Sequence, residues 1–121
     1  MKTITLSKGT EFTYGQNAQE NSELTRKADK NHIWMHVSNT ASAHGILHTD
    51  NLYSSDINEA ADIIKRHSKA KDWRCTTSIV CVKVKYVKVK NDNGSIEIIP
   101  GPECKGSGSK YGKCARTIVL K

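Results

Sequence analysis

Apolar and polar residues alternate along the segment IWMHV, and this alternation predicts a β-strand because successive side chains of a strand point to opposite faces. Ile33, Met35 and Val37 then share one apolar face, and Trp34 and His36 share the other. The second face is unusual because it carries an indole and an imidazole. Two interpretations are open: a helix buries Trp34 while a backbone carbonyl satisfies His36, or the two rings form a platform that binds a ligand.

Alternating patterns elsewhere predict further strands that pair as hairpins. Residues 2–6 and 11–14 flank a Ser-Lys-Gly turn and predict an opening hairpin. A strand near 44–48 follows a turn rich in Asn, Thr and Ser, so we expect it to pair with the IWMHV strand. An Asn-Gly pair favours a tight turn before a strand at 96–99, and residues 115–120 predict a closing strand.

Helix signals occur in two segments of the chain. Asn17 is a favourable N-cap with Glu20 three residues later, which predicts a first helix running to about Ala28. Asp56 with Glu59 indicates the start of a second helix. The apolar residues of this second segment follow the spacing of one buried helical stripe: Ile57, Ala60, Ala61 and Ile64.

The segment SIVCVKVKYVKVK at 78–90 gives the strongest strand prediction in the chain. Its alternation inverts at Tyr86, so the valines and lysines exchange faces there. Either a β-bulge near Tyr86 returns the lysines to one face, or the strand changes its buried side, and we favour the bulge. The lysines concerned are Lys83, Lys85, Lys88 and Lys90.

The length of the chain, 121 residues, suits one domain and is too short for two of ordinary size. We expect residues 1–121 to form a single α+β domain, mainly an antiparallel sheet of hairpins with two packed helices. No stretch approaches the roughly 20 apolar residues of a membrane span, and the N-terminus lacks the apolar run of a signal peptide. We therefore expect a cytoplasmic protein with no membrane partner, whose cysteines are free thiols. These are Cys75, Cys81, Cys104 and Cys114.

Positive charge is concentrated in the second half of the chain. Residues 1–60 hold 5 basic and 7 acidic residues, a net charge of −2, whereas residues 61–121 hold 14 and 5, a net charge of +9. A basic half on a small chain is typical of a protein with a polyanionic partner, most often nucleic acid. The predicted second helix contributes basic residues toward its C-terminal end: Lys65, Arg66, Lys69 and Lys71.

Motifs for metals, cofactors or nucleotides are weak in this sequence. His32 and His36 are four residues apart, which on a strand separates them by about 13 Å, too far to share one metal. We expect neither a metal nor a cofactor. The Gly- and Lys-rich segment 100–113 predicts a flexible basic loop that either contacts a phosphate backbone or serves as a linker.

Several separated motifs resemble, in order, those of one known family, the NFACT-R domain. The first is GQNAQEN, with Gly15, Asn17, Ala18 and Asn21, and the second is IWMHV, followed by Ser-Ala-His at 42–44. The resemblance continues through INEAADIIKRHSKA, VKYVKV and YGKCARTIVL, so it covers nearly the whole chain. His32 departs from the family pattern, which usually has an acidic residue before the Ile-Trp pair.

The resemblance implies an RNA-binding module. In large relatives this module is the C-terminal part of ribosome quality-control factors, which bind the large ribosomal subunit and tRNA and extend stalled nascent chains. Short eukaryotic relatives carry it nearly alone, followed by a coiled coil. The sequence contains neither the other domains of the large relatives nor that coiled coil, so we do not expect the tail-elongating activity.

The leading hypothesis is therefore a non-catalytic domain that binds RNA, either tRNA or rRNA, with DNA as a possible competitor. Lysines would neutralise phosphates, and polar side chains and a stacking indole would contact sugars and bases. Two alternatives are a protein adaptor that uses the basic strand and a nuclease that uses His36 and His44 as an acid/base pair. The candidate binding residues are Asn17, Asn21, Trp34, His36, Ser42, His44, Lys65, Arg66, Lys69, Lys83, Lys85, Lys88 and Lys90.

Overall fold

The elements of this computed structural model alternate strands with two helices. It describes residues 1–38, 40–69, 71, 76–91, 93–99, 101 and 115–120. The order is β1 (Lys2–Thr5), β2 (Glu11–Tyr14), α1 (Ala18–Lys27), β3 (Ile33–Val37), β4 (Gly45–Leu47), α2 (Ile57–Arg66), β5 (Thr77–Lys83), a 3-10 turn (Val84–Tyr86), β6 (Val87–Val89), β7 (Ile96–Ile98) and β8 (Ala115–Leu120).

Six strands form the main sheet in the order β1-β2-β4-β3-β5-β8, and each neighbouring pair is antiparallel. Strands β6 and β7 form a separate antiparallel hairpin. The predicted hairpins at the N-terminus, at β3–β4 and at β6–β7 are confirmed, as is the closing strand β8. The α+β fold class predicted from the sequence is therefore confirmed.

Both faces of the main sheet are buried at its central strands β3 and β4, one face under each helix. The face that carries Ile33, Met35 and Val37 packs against the stripe of α2 predicted from its spacing. On the opposite face, Trp34 packs in a second cluster with Leu24 of α1. Trp34 is 2% exposed, so the buried interpretation is correct for the indole, whereas His36 is only half-buried. Trp34 therefore offers no stacking surface to a ligand, which corrects the role predicted for its indole.

Helix α1 begins as the sequence predicts. The side chain of Asn17 accepts a hydrogen bond from the backbone N–H of Glu20 at 2.9 Å. The Glu20 carboxylate accepts in return from the N–H of Gln16 at 3.0 Å, one residue before the N-cap. At α2, by contrast, the Asp56 side chain makes no capping hydrogen bond, and the buried apolar stripe holds this helix in place.

The long strand predicted at 78–90 is wrong, because the chain leaves the main sheet after Lys83. A 3-10 turn takes the place of the predicted bulge, and Val84, Tyr86 and Val87 all pack into the cluster beneath α1. In a regular strand Tyr86 and Val87 would point to opposite faces, so the turn is what allows both to be buried. The four lysines of this segment consequently lie on different elements and share no single strand face.

Some sequence predictions fall on residues outside those the structure describes. They concern the loop at 100–113, apart from Gly101, and Cys75, Cys104 and Cys114. Cys81 is a buried free thiol, and its burial raises its pKa to about 12. Within the described ranges, neither helix is long and apolar enough to span a membrane.

Candidate nucleic-acid interface

A groove of about 860 Å³ lies where the start of α1, the end of β3 and the end of α2 meet. We call it the main groove. The β6–β7 turn closes one side of it with Asn93 and Gly94. Seven residues predicted from the sequence as ligand contacts lie together along this groove: Asn17, Asn21, His36, Ser42, His44, Arg66 and Lys69.

Backbone pairing holds the segment before β4 against the end of α2. Ser42 and Ser68 form an isolated antiparallel bridge. On either side of it, the N–H of Ala43 donates to the carbonyl of His67 at 2.9 Å, and the N–H of Lys69 donates to the carbonyl of Ala41 at 3.0 Å. This pairing fixes the basic end of α2 beside the Ser-Ala-His motif, although the two segments are distant in sequence.

The floor of the main groove consists of Asn21, His36 and His44, which are buried or half-buried. The backbone N–H of His44 donates to Asn21 Oδ1 at 3.1 Å, and the N–H of Gly15 donates to the carbonyl of His44 at 3.1 Å. A Cβ atom at Gly15 would lie 2.2 Å from Asn21 Oδ1. Glycine at this position is therefore required for Asn21 to reach the backbone of His44, the residue before β4.

The rings of the two floor histidines, His36 and His44, contact each other and the buried ring of Trp34. The rings of Trp34 and His36 are parallel within 2°, with centroids 5.5 Å apart, and His44 stands edge-on 5.2 Å from His36. Burial lowers the pKa of His36, although a backbone hydrogen bond at Val37 acts against it. Burial, followed by repulsion from His36, lowers the pKa of His44 to about 4. Both imidazoles are therefore neutral at neutral pH.

The side-chain oxygens of Ser42 and Asn17 also make hydrogen bonds within the fold. Ser42 Oγ accepts from the N–H of Val37 at 3.1 Å and donates to the carbonyl of Ala43 at 2.9 Å. The Asn17 oxygen accepts the N–H at the helix start. These hydrogen bonds are a sufficient structural reason for an asparagine at 17 and a serine at 42, with no ligand contact needed. They leave the floor residues as the better candidates for polar contact.

The rim of the main groove is formed by the exposed cations Arg66, Lys69 and Lys71. Arg66 forms an ion pair with Asp62, four residues earlier on α2. No Asp or Glu is found among the described residues that line the groove. The sequence marks Lys71 only as part of a basic helix end and the Asn-Gly pair only as a turn, and no local pattern marks His67. Tertiary contacts bring all of them to the main groove.

A family model described as the NFACT protein RNA binding domain matches residues 3–99. The chain belongs to this family. The matched range contains every residue of the main groove named above. The family resemblance inferred from the sequence motifs is thereby confirmed.

A solved structure shares the fold of this NFACT RNA-binding domain: the C-terminal part of the fibronectin/fibrinogen-binding protein from Streptococcus suis. The TM-score is 0.74 and the sequence identity is 23%, with 98% of this chain and 44% of that chain covered. The chain thus spans less than half the length of that neighbour, and the likeness concerns the fold. No match was found among curated proteins.

The other predicted lysines of this NFACT domain lie outside the main groove. Lys85 and Lys88 line a second groove of about 510 Å³ together with Arg26 and Lys30 from the end of α1 and the loop that follows it. Lys83 lies with Lys85 at a smaller depression of about 310 Å³, and Lys65 and Lys90 line none of the three. The structure thus separates the predicted basic surface into distinct parts.

Metal binding has no support in the described part of the domain, where no three His, Cys, Asp or Glu side chains are grouped to hold an ion. His32 and His48 contact each other edge-on, with ring centroids 5.3 Å apart. His48 also shares a hydrogen bond of 2.8 Å with Thr13 Oγ1. These histidines form a separate polar cluster away from the main groove.

Proposed function

We propose that this chain binds RNA in the main groove, with phosphates at the cationic rim and a nucleoside at the neutral floor. The observation that carries the proposal is the composition of the groove, which combines Lys69, Lys71 and Arg66 with no described carboxylate. Such a surface attracts a polyanion by counterion release. Membership of a family of RNA-binding domains makes RNA the favoured polyanion.

The first turn of α1 supports phosphate binding at the same groove. Asn17 and Ala18 line the groove at the amino end of this ten-residue helix. The helix dipole favours an anion at that end, where Asn17 caps the N–H of Glu20 and leaves the other N–H groups of the first turn to attract a phosphate against the nearby Glu20 carboxylate. The start of α1 and the cationic rim therefore both attract a phosphate group, from two sides of the main groove.

The second groove extends this surface along α1. Its cations Arg26, Lys30, Lys85 and Lys88 lie at the carboxyl end of the helix, whose amino end borders the main groove. Ten helical residues span about 15 Å, so one RNA strand or one structured RNA can reach both grooves. We propose that a structured RNA, a tRNA or an rRNA of the large ribosomal subunit, is the cytoplasmic partner.

Binding rather than catalysis is the function that the floor supports. A nuclease with two histidines needs one protonated imidazole as acid and one neutral imidazole as base. Burial lowers the pKa of both His36 and His44, so the acid is missing at neutral pH. A protein adaptor would need the continuous basic strand predicted from the sequence, and the 3-10 turn interrupts that strand.

Lys69→Glu is expected to weaken RNA binding about tenfold and to reduce the slope of log affinity against log salt by about one. Lys8→Glu is the matched control, because Lys8 lies in the β1–β2 turn, where it bonds Ser55 at 2.7 Å. The measurement is fluorescence anisotropy with tRNA, single-stranded RNA and duplex DNA over a salt series. An equal loss of RNA affinity in Lys69→Glu and Lys8→Glu would mean that the RNA does not bind in the main groove. If none of the three nucleic acids binds at low salt, the proposal is refuted.

Lys85→Ala/Lys88→Ala is expected to weaken tRNA binding while leaving an oligonucleotide of about four residues unaffected, because only the longer ligand reaches the second groove. Both side chains are exposed, so the variant should fold normally. Anisotropy with the two ligands measures the contrast. A similar loss for both ligands would mean that the second groove is itself the primary site.

A further inference from the structure

The hydrogen bonds of Thr25 fix which nitrogen of His44 carries the proton. Thr25 Oγ1 donates its only hydrogen to the carbonyl of Asn21 at 2.8 Å and lies 3.3 Å from His44 Nδ1. With that hydrogen committed, Thr25 Oγ1 can only accept from Nδ1, so Nδ1 is protonated. In a neutral imidazole the other nitrogen, Nε2, then carries a free lone pair.

That lone pair is available to a ligand in the main groove. His44 is 3% exposed and lines the groove, and no described residue bonds Nε2. Three polar side-chain atoms of the described residues are fully buried without a hydrogen-bond partner, and Nε2 of His44 is not one of them. It therefore reaches the groove as an acceptor, which repels a phosphate oxygen and attracts a hydrogen-bond donor.

Asn21 contributes a donor to the same groove. Its Oδ1 accepts from the backbone N–H of His44 and lies against Gly15, where an added Cβ would be 2.2 Å away, so the group left for a ligand is the Nδ2 amide. A donor and an acceptor on two bonded residues of one groove match a group that itself both donates and accepts, such as a hydroxyl.

We propose that Asn21 and His44 recognise the ribose 2′-hydroxyl and thereby select RNA over DNA. The hydroxyl donates to His44 Nε2 and accepts from Asn21 Nδ2, while the rim holds the neighbouring phosphate. Every ribonucleotide carries this hydroxyl close to its phosphate, so the contact works for any sequence. The inference rests on the proposed function, because it assigns a role to two floor residues of the same groove.

The test compares uridine oligonucleotides that carry 2′-hydroxyl, 2′-fluoro or 2′-deoxy sugars. Fluorine accepts but cannot donate, so it separates the hydrogen bond from the shape of the sugar. Wild type is expected to bind the hydroxyl form roughly tenfold more tightly than either of the others. His44→Phe keeps an aromatic ring without the acceptor, and it should bind all three at the 2′-deoxy level.

Equal wild-type binding of the three sugars would overturn the inference while leaving the proposed function intact. No binding of any of them, or of tRNA, would instead refute the proposed function. A preference for adenine over uridine oligonucleotides, independent of the sugar, would also overturn the inference. Thr25→Val is a second variant, at a residue that is 1% exposed and does not line the main groove. It should lower the preference for the hydroxyl form, because without the Thr25 hydroxyl the proton of His44 is no longer held on Nδ1.

The tautomer has a direct readout that needs no RNA and no mutation. Long-range ¹H–¹⁵N correlation spectra of the free domain distinguish a protonated Nδ1 from a protonated Nε2 in His44. Protonation at Nδ1 is the expected result. Protonation at Nε2 would turn the acceptor into a donor and overturn the inference.

Discussion

Gly45→Ala is expected to lower the free energy of unfolding by about 3 kcal/mol, a value for overpacking in a buried core. A Cβ atom at this position would lie 2.4 Å from Phe12 Cζ and 2.6 Å from Ile64 Cδ1. All three residues are buried, and β4 lies between β2 and β3 in the main sheet. Phe12 and Ile64 are both 0% exposed, so neither side chain can move away from the new methyl group without displacing other core residues. Urea unfolding followed by circular dichroism measures the loss.

A double-mutant cycle shows whether the phenyl ring is the cause. Phe12→Leu removes the two ring atoms nearest to the new methyl group, so Gly45→Ala should cost less in that background than in the wild type. Identical costs in both backgrounds would rule out the clash with Phe12. A change below about 0.5 kcal/mol in the wild-type background would show that β4 shifts to accept the side chain.

The elements that the sequence predicts well are those defined by local patterns. The alternation at Ile33–Val37, the N-cap at Asn17 and the apolar stripe of α2 each depend on residues within about two turns or one strand. The sequence also assigns Trp34 correctly to the face of β3 opposite that of Ile33, Met35 and Val37. The pattern does not say what covers the second face, because that depends on α1 and the β6–β7 hairpin packing over it.

The segment after Lys83 shows where a local pattern fails. An inverted alternation has three solutions: a bulge, a change of buried side, or a departure from the sheet. The chain departs, and the N–H groups of Val84 and Lys85 pair with the carbonyls of His32 and Lys30 at 2.9 and 3.0 Å. These partners lie more than fifty residues away in sequence, so no window around the segment contains the information.

The sequence predicts several residues of the candidate site, but it does not predict which of them lie together in the fold. The family motifs pointed to Asn21, His36 and His44, which the fold brings together. The lysines of the predicted long strand were assigned to the same surface and lie elsewhere. The sequence shows that basic residues are present near the end of α2. Their position beside the main groove follows from the pairing of residues 41–43 with the end of α2.

Acidification from pH 6.5 to 4 is expected to cost the domain roughly 3 kcal/mol of stability through His44 alone. Its pKa falls from 6.5 to about 4 on folding, because burial disfavours the charged ring. Between these two values the unfolded chain binds more protons than the folded one, so stability falls as the pH falls. Above pH 6.5 the contribution is complete. Burial lowers the pKa of His36 and His48 as well, and their effects have the same sign.

His44→Phe isolates this contribution, because it removes the titrating group and keeps a ring against Trp34 and His36. The unfolding free energy of this variant, measured in urea at a series of pH values, should fall less steeply below pH 6.5 than that of the wild type. Parallel profiles for the two proteins would mean that folding does not lower the pKa of His44. His44 would then be protonated, and would lack the lone pair on Nε2, below about pH 6.5, so the same experiment sets the pH range in which the 2′-hydroxyl can be recognised.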